Sequence, residues 1–192
     1  SNPRSLSAHV MSFAAKVEGL PLAAHNVLFA ADPEQEYGPL ARGAPQHDPT
    51  LYICAQDRFG SNTPSGQERF EIILNQPPCG QTAVPSQKVR EQCQTIFLDH
   101  LTRHGLSFTP RPTSRTLTMT EDFAQMFPGS DGSLYGRSPH GMMAAFARPT
   151  ARTKTKGLYL VGGGAHPGAG VPMATLSAKH AAGTILSDLT LT

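Results

Sequence analysis

At 192 residues the chain has room for one ordinary domain or for parts of two. Hydrophobic residues make up 39% and charged residues 16%, a balance that excludes a disordered chain and calls for a buried core. A formal charge of +2, with the basic residues scattered and 7% aromatics, leaves no footprint for nucleic acid. The cysteines, Cys54, Cys79 and Cys93, form no CxxC pair, which fits a reducing cytoplasm. No apolar run approaches the ~18 residues of a membrane span, so any membrane contact is expected to be peripheral. The start at Ser1-Asn2, without Met, suggests either a cleaved tag or a chain that begins inside a longer protein.

In chain order, residues 9–17 alternate, with His9, Met11, Phe13, Ala15 and Val17 on one face, as a half-buried strand does. A turn at Gly19-Leu20-Pro21 leads to a short strand from Asn26 to Ala30. Asp32-Pro33-Glu34 reads as a helix entry, Asp32 as N-cap and Pro33 in the first turn. After a turn-rich stretch come a third strand, Leu51 to Gln56, and a loop from Gly60 to Gly66. A fourth strand carries Phe70, Ile72 and Leu74 on one face. The clearest helix runs from about Gln87 to His104, stopped by Gly105. Its expected apolar face is Val89, Cys93, Ile96, Phe97, His100 and Leu101. Four strands and one long helix suit an antiparallel sheet covered on one side.

From Arg115 the character changes. A Thr-rich strand to Met119 runs into Thr118-Met119-Thr120-Glu121, a candidate capping box for a short helix ending before Pro128-Gly129. Residues 128–157 are glycine- and proline-rich with little periodicity, as functional irregular segments are. Leu158-Tyr159-Leu160-Val161 is continuously apolar and reads as a parallel strand buried on both faces. Such a strand needs parallel neighbours joined by crossover helices, and no βαβ unit precedes it here. A helix follows over 172–187.

Between that strand and helix lies Gly162-Gly163-Gly164-Ala165-His166-Pro167-Gly168-Ala169-Gly170-Val171-Pro172-Met173. A glycine loop opening a helix permits close backbone approach and presents unpaired N–H groups and a partial positive charge, as a nucleotide cofactor needs. The familiar fingerprints are not met: the sixth position from Gly162 is Pro167, and no Gly-Lys-Ser/Thr follows any glycine. A purely structural glycine turn, packing a small-residue helix through Ala174, Ala178, Ala181 and Ala182, stands as the alternative.

The wording of this motif, with Ser177-Ala178-Lys179 in the helix, resembles the C-terminal flavin-contacting segment of the phytoene desaturase-like, FAD-dependent carotenoid desaturases. His25-Asn26-Val27-Leu28-Phe29, Asp48-Pro49-Thr50-Leu51-Tyr52 and Thr120-Glu121-Asp122-Phe123 agree upstream. Leu134-Tyr135-Gly136-Arg137 and Phe146-Ala147-Arg148-Pro149 resemble the hydroxy- and methoxyneurosporene desaturase branch most. The resemblance covers nearly the whole chain.

It implies an α/β chain of the α+β kind: an antiparallel substrate-domain sheet with a helix over 5–114, and over 115–192 the returning strand–glycine loop–helix of a Rossmann-like FAD domain. Gly162, Gly163, Gly164 and the helix start at Val171, Pro172 and Met173 would approach the ribityl chain and pyrimidine side of FAD. Related flavoproteins place an acidic residue where Gly163 stands, so backbone contacts are expected instead. A helix N-terminus there would stabilise the charge of reduced flavin by about 0.3–2 kcal/mol. The implied reaction is dehydrogenation of a hydroxy- or methoxy-substituted polyene, with hydride passing to flavin N5. The implied partners are an apolar carotenoid, a membrane surface touched peripherally from the bacterial cytoplasm, and the missing N-terminal half of the same enzyme. Without that half the isolated chain is expected to be inactive.

No residue declares itself a catalytic base. His140 and His166 are the candidates, with structural roles the stronger reading, and Arg137 could meet a substrate hydroxyl or remain a solvated loop arginine. Cys93, His100 and His104 share a helix face but lack a fourth zinc ligand. Arg148, Arg152, Lys154 and Lys156 form a basic run that either touches anionic lipid or is simply solvated. The competing readings are a carotenoid isomerase-like or oxygenase-like family member, and a non-catalytic lipid- or polyene-binding module.

Overall fold

The computed structural model describes residues 3–44, 46–60, 64–79, 84–138, 143–144 and 146–190. The chain folds as two compact units, one of Ser7–Gly132 and one of Ser1–Leu6 with Ser133–Thr192.

The Ser7–Gly132 unit is an antiparallel sheet with helices. Its elements are β1 (Ser7–Glu18), β2 (His25–Leu28), α1 (Pro33–Ala41), β3 (Leu51–Ala55), β4 (Glu68–Gln76), α2 (Gln87–Arg103), β5 (Ser107–Thr109), β6 (Leu117–Thr118) and α3 (Thr120–Met126). The strand order is β2-β3-β4-β1-β5, with β6 also paired to β1. The period-two alternation sets the register: Ile53, Ile72, Met11 and Leu117 form one cross-strand row, all at 4% exposure or less. Phe97, Leu98 and Leu101 of α2 belong to the same core. Phe13, Phe70 and Phe108 close it at one end, their ring centroids 5.1–5.6 Å apart. Glu68, buried on β4, accepts two hydrogen bonds of 2.6 Å from Arg58, which also donates to Leu22 O. That pairing satisfies a buried carboxylate and holds the Arg58 guanidinium above its ordinary value.

Several expectations shift in the folded chain. Asp32 caps α1 as read, accepting from Glu34 N. In α2 the buried residues are Phe97, Leu98, His100 and Leu101, whereas Val89 and Ile96 are exposed. The buried stripe is thus rotated towards Leu98, because α2 meets the sheet through its C-terminal half. The three-residue β5 was not expected; it is too short to show alternation and exists because Lys16–Glu18 pair with it. The cap of α3 is one residue later than the box read at Thr118 and Glu121. Asp122, not Glu121, reaches back to the N–H of Met119, at 2.7 Å. Arg90 decides this, because it grips the Asp122 carboxylate with both terminal nitrogens and donates to Leu117 O as well. Burial alone would raise the Asp122 carboxyl, but Arg90 and the Met119 N–H hold it below its usual range.

In the unit of Ser1–Leu6 and Ser133–Thr192 the long element is α4 (Val171–Thr190). The strand expected at Leu158–Val161 is not formed as a strand: only one antiparallel bridge, Arg152 to Tyr159, involves it. Leu158, Leu160 and Val161 are 52%, 37% and 61% exposed, so the run expected to be buried on both faces is open. The physical reason is pairing, since a parallel strand exists only beside neighbours and none lies along it among the described residues. Of the alanines expected to pack α4 closely, Ala181 is buried and Ala178 and Ala182 are exposed.

Two measurements check this account of the sheet. Ile72→Ala opens a cavity in the central row and lowers the stability of the chain by about 2–5 kcal/mol, read from urea denaturation. His9 lies beside that row, opposite Leu74. Burial pushes its imidazole from 6.5 down to about 4, Asp122 pulling it up and Arg90 adding to the depression. The neutral form is therefore favoured by folding: this contribution, about 3 kcal/mol, is complete above pH ~6.5 and is lost as pH falls towards 4. The pH dependence of the urea midpoint between 6.5 and 5 is expected to flatten in His9→Leu. A residual slope should persist from His100, which burial also depresses, with His104 and Arg103 adding to the effect.

Candidate functional site

The glycine segment is held by a second stretch of chain, 147–152. Ala151 O accepts from Leu160 N at 2.8 Å, and Pro149 O accepts from His166 N at 2.8 Å. Within the loop, Ala165 N closes a turn on Gly162 O at 3.1 Å. Gly162 itself takes φ +117°, a left-handed conformation that favours glycine. Its N–H donates to the buried hydroxyl of Ser177 on α4, at 3.2 Å, which ties the loop to the helix it introduces. Gly170 (φ +97°) then begins α4, its carbonyl accepting from Ala174 N.

Arg148 carries the loop from beneath. It is 8% exposed, and its Nη1 donates to Gly163 O at 2.8 Å and to Tyr135 O at 3.1 Å. Sequence reasoning placed it in a basic surface run, because a charged residue among loop residues gives no sign of burial. The other members of that run are exposed. Arg152 pairs with Asp188, which also accepts from the Tyr159 hydroxyl at 2.8 Å and pushes that hydroxyl above its ordinary value. Lys154 and Lys156 line a groove of about 460 Å³ together with Leu158 and Leu189. Ser177, too, was read only as part of a motif; its single signal is its place one turn and a half into a helix that follows glycines.

The six residues singled out for cofactor contact lie together along the loop and at the helix start. A Cβ built on Gly162, on Gly164 or on Gly170 meets nothing within 4 Å, so the loop presents open space. Val171 is 81% exposed and Met173 42%. The first turn of α4 carries no acidic side chain, and Pro172 has no N–H to offer, so the donors at this end are the N–H groups of Val171 and Met173. An open glycine surface beside a helix N-terminus fits an electron-rich cofactor edge approached by backbone donors.

The other candidates fall elsewhere. The His166 ring stacks on His180, centroids 6.0 Å apart, at a groove shared with Thr150, Arg152 and Thr184. His140 lies outside the described residues. Arg137 donates to Ala147 O at 3.0 Å. His100 and His104 are neighbours in α2, centroids 4.9 Å apart, and Arg103 lies 2.9 Å from His100 Nδ1. Cys93 packs against the core, and no group of three or more His, Cys, Asp or Glu able to hold a metal occurs among the described residues.

No protein-family model matches the chain. Individual relatives are clear. The chain is 55% identical over 98% of its length to a hydroxyneurosporene desaturase of Cereibacter sphaeroides, and 50% identical over 96% to that of Rhodobacter capsulatus. It is 36% identical over 97% to the hydroxyneurosporene desaturase of Rubrivivax gelatinosus. All three are hydroxyneurosporene desaturases, and the similarity runs through nearly the whole chain. The chain spans 36–37% of the length of those three relatives, so it corresponds to a part of such a desaturase. No described helix of the chain is long and apolar enough to cross a membrane.

Removing the Ser177 hydroxyl leaves Gly162 N–H without its acceptor inside the unit. Ser177→Ala is expected to cost about 1 kcal/mol locally, seen as roughly fivefold faster hydrogen exchange at the Gly162 amide.

Proposed function

We propose that this chain is the C-terminal part of an FAD-dependent carotenoid desaturase that dehydrogenates a hydroxy- or methoxy-substituted polyene. The observation that carries the reading is the 55% identity, extending over 98% of the chain, to a protein named for desaturation of hydroxyneurosporene. The open glycine loop and helix start support the cofactor, and 5–114 and 115–192 serve as portions of the substrate and FAD domains.

When bound, FAD supplies the capacity to accept a hydride from an allylic carbon of the polyene. What this chain adds is position and field. Gly162, Gly163 and Gly164 bring the backbone close to the ribityl chain and the pyrimidine side, and at Gly162 and Gly164 a side chain would stand in that open space. Val171 and Met173 present N–H groups, and the α4 dipole favours negative charge at the pyrimidine edge. Pro172 fixes the backbone of the first turn without adding a donor. The exposed apolar residues Leu158, Leu160, Val161 and Val171 are the surface against which the remainder of the enzyme packs. Lys154 and Lys156, with Leu158 and Leu189 beside them, suit peripheral contact with an anionic bilayer on the cytoplasmic side.

The test is absorption spectroscopy and product analysis on the full-length protein. A bound-flavin spectrum and conversion of a hydroxylated polyene to a product with one more conjugated double bond are expected, and neither from the 192-residue chain with added FAD. A full-length protein that binds polyene without flavin would overturn the reading in favour of a binding module. Flavin binding with a rearranged or oxygenated product would point to an isomerase-like or oxygenase-like member.

A further inference from the structure

We infer that Arg148 is a positioning residue, fixing the Gly163–Gly164 peptide so that the loop meets the cofactor as a hydrogen-bond donor. The inference rests on the reading of the glycine loop as a cofactor contact and names the side chain that gives the loop its polarity.

Arg148 Nη1 lies 2.8 Å from Gly163 O, so that carbonyl points inward, towards a guanidinium that is 8% exposed. The Gly163–Gly164 peptide is not among the cis bonds of the chain. In a planar trans peptide the C=O and the following N–H point in opposite directions. The Gly164 N–H is therefore directed away from Arg148. Gly164 is exposed, a Cβ there meets nothing within 4 Å, and its N–H has no partner among the described residues.

Glycines flanking a peptide leave its rotation nearly unhindered, so backbone sterics alone do not choose between donor-out and acceptor-out. Arg148 makes the choice. Rotating the peptide would take the carbonyl off the guanidinium and turn an N–H towards a buried cation, losing a charge-assisted bond and opposing a dipole to a charge. The second bond, to Tyr135 O at 3.1 Å, holds the guanidinium in place independently of the loop. Gly168 completes the seat: a Cβ on it would stand 3.7 Å from Arg148 Nε, so the segment after the turn lies against the same side chain. No carboxylate pairs with Arg148 among the described residues, and so its charge is spent on backbone carbonyls rather than neutralised.

An outward donor binds the electron-rich reduced form of a flavin better than the oxidised form. Arg148 is thereby tied to a reduction potential, which a merely structural residue would not move. The experiment uses the full-length protein with Arg148→Met, which keeps the bulk and removes the donors, and Arg148→Lys, which keeps the charge. In Arg148→Met the affinity for reduced relative to oxidised flavin should fall about tenfold, lowering the two-electron midpoint potential by about 30 mV. Arg148→Lys should recover most of that loss. In wild type, hydrogen exchange at the Gly164 amide should slow at least tenfold on FAD binding, a measurement that decides the matter even if Arg148→Met does not fold. A wild-type protein without FAD overturns the cofactor reading and this inference with it. FAD-binding wild type with an unprotected Gly164 amide, or an unchanged potential in Arg148→Met, overturns the role of Arg148 alone.

Discussion

Backbone pairing along β1 is the constraint on which the Ser7–Gly132 unit depends. Its twelve residues accept β4 along one edge, and on the other β6 at Val10–Met11 and β5 at Lys16–Glu18. Because side chains alternate, this one register sends Met11 and Ala15 into the core and fixes which residues of β4, and then of β3, join them. A slip of one residue would expose the whole set. The short strands β5 and β6 have no stability of their own; they exist because β1 supplies them with pairing partners besides those it gives to β4.

The other unit follows a different logic. It has no sheet among its described residues, and its order comes from polar contacts to backbone. Arg148 holds Tyr135 and Gly163, Ser177 holds Gly162, and the strap at Pro149 and Ala151 holds His166 and Leu160. These contacts fix a surface that is open and apolar rather than filled. That is what a segment shows when its hydrophobic complement lies elsewhere: Val171, Leu186 and Leu189 are 81%, 63% and 67% exposed on a helix with no acidic first turn.

The sheet was legible in the sequence wherever period-two alternation ran long enough. Residues 9–17 and Phe70-x-Ile72-x-Leu74 specify both strand and buried face. Asp32 before Pro33 marks the start of α1, because that pair satisfies orphan N–H groups and presets φ. What was not legible depended on distant partners. Asp122 became the side chain that reaches back to the Met119 cap of α3 through Arg90, thirty-two residues away, where local spelling favoured Glu121. The Leu158–Val161 run reads as a strand because four apolar residues want burial, yet a strand is a relation between segments. Arg148 looked like a solvated charge since burial of an arginine is decided by carbonyls no local pattern announces. The glycine loop was the easiest feature to find, since positive φ at Gly162 and Gly170 leaves little choice of residue.

In the proposed reading, Leu158–Val161 and the start of α4 are completed by the rest of a longer flavoenzyme. Its most direct test is hydrogen exchange on the full-length protein and on the 192-residue chain, compared amide by amide. Residues 158–164 and 171–173 are expected to exchange much faster in the short chain than in the full-length protein. The core strands β1, β3 and β4 should be protected in both. Equal, rapid exchange at 158–164 in the two proteins would contradict the claim.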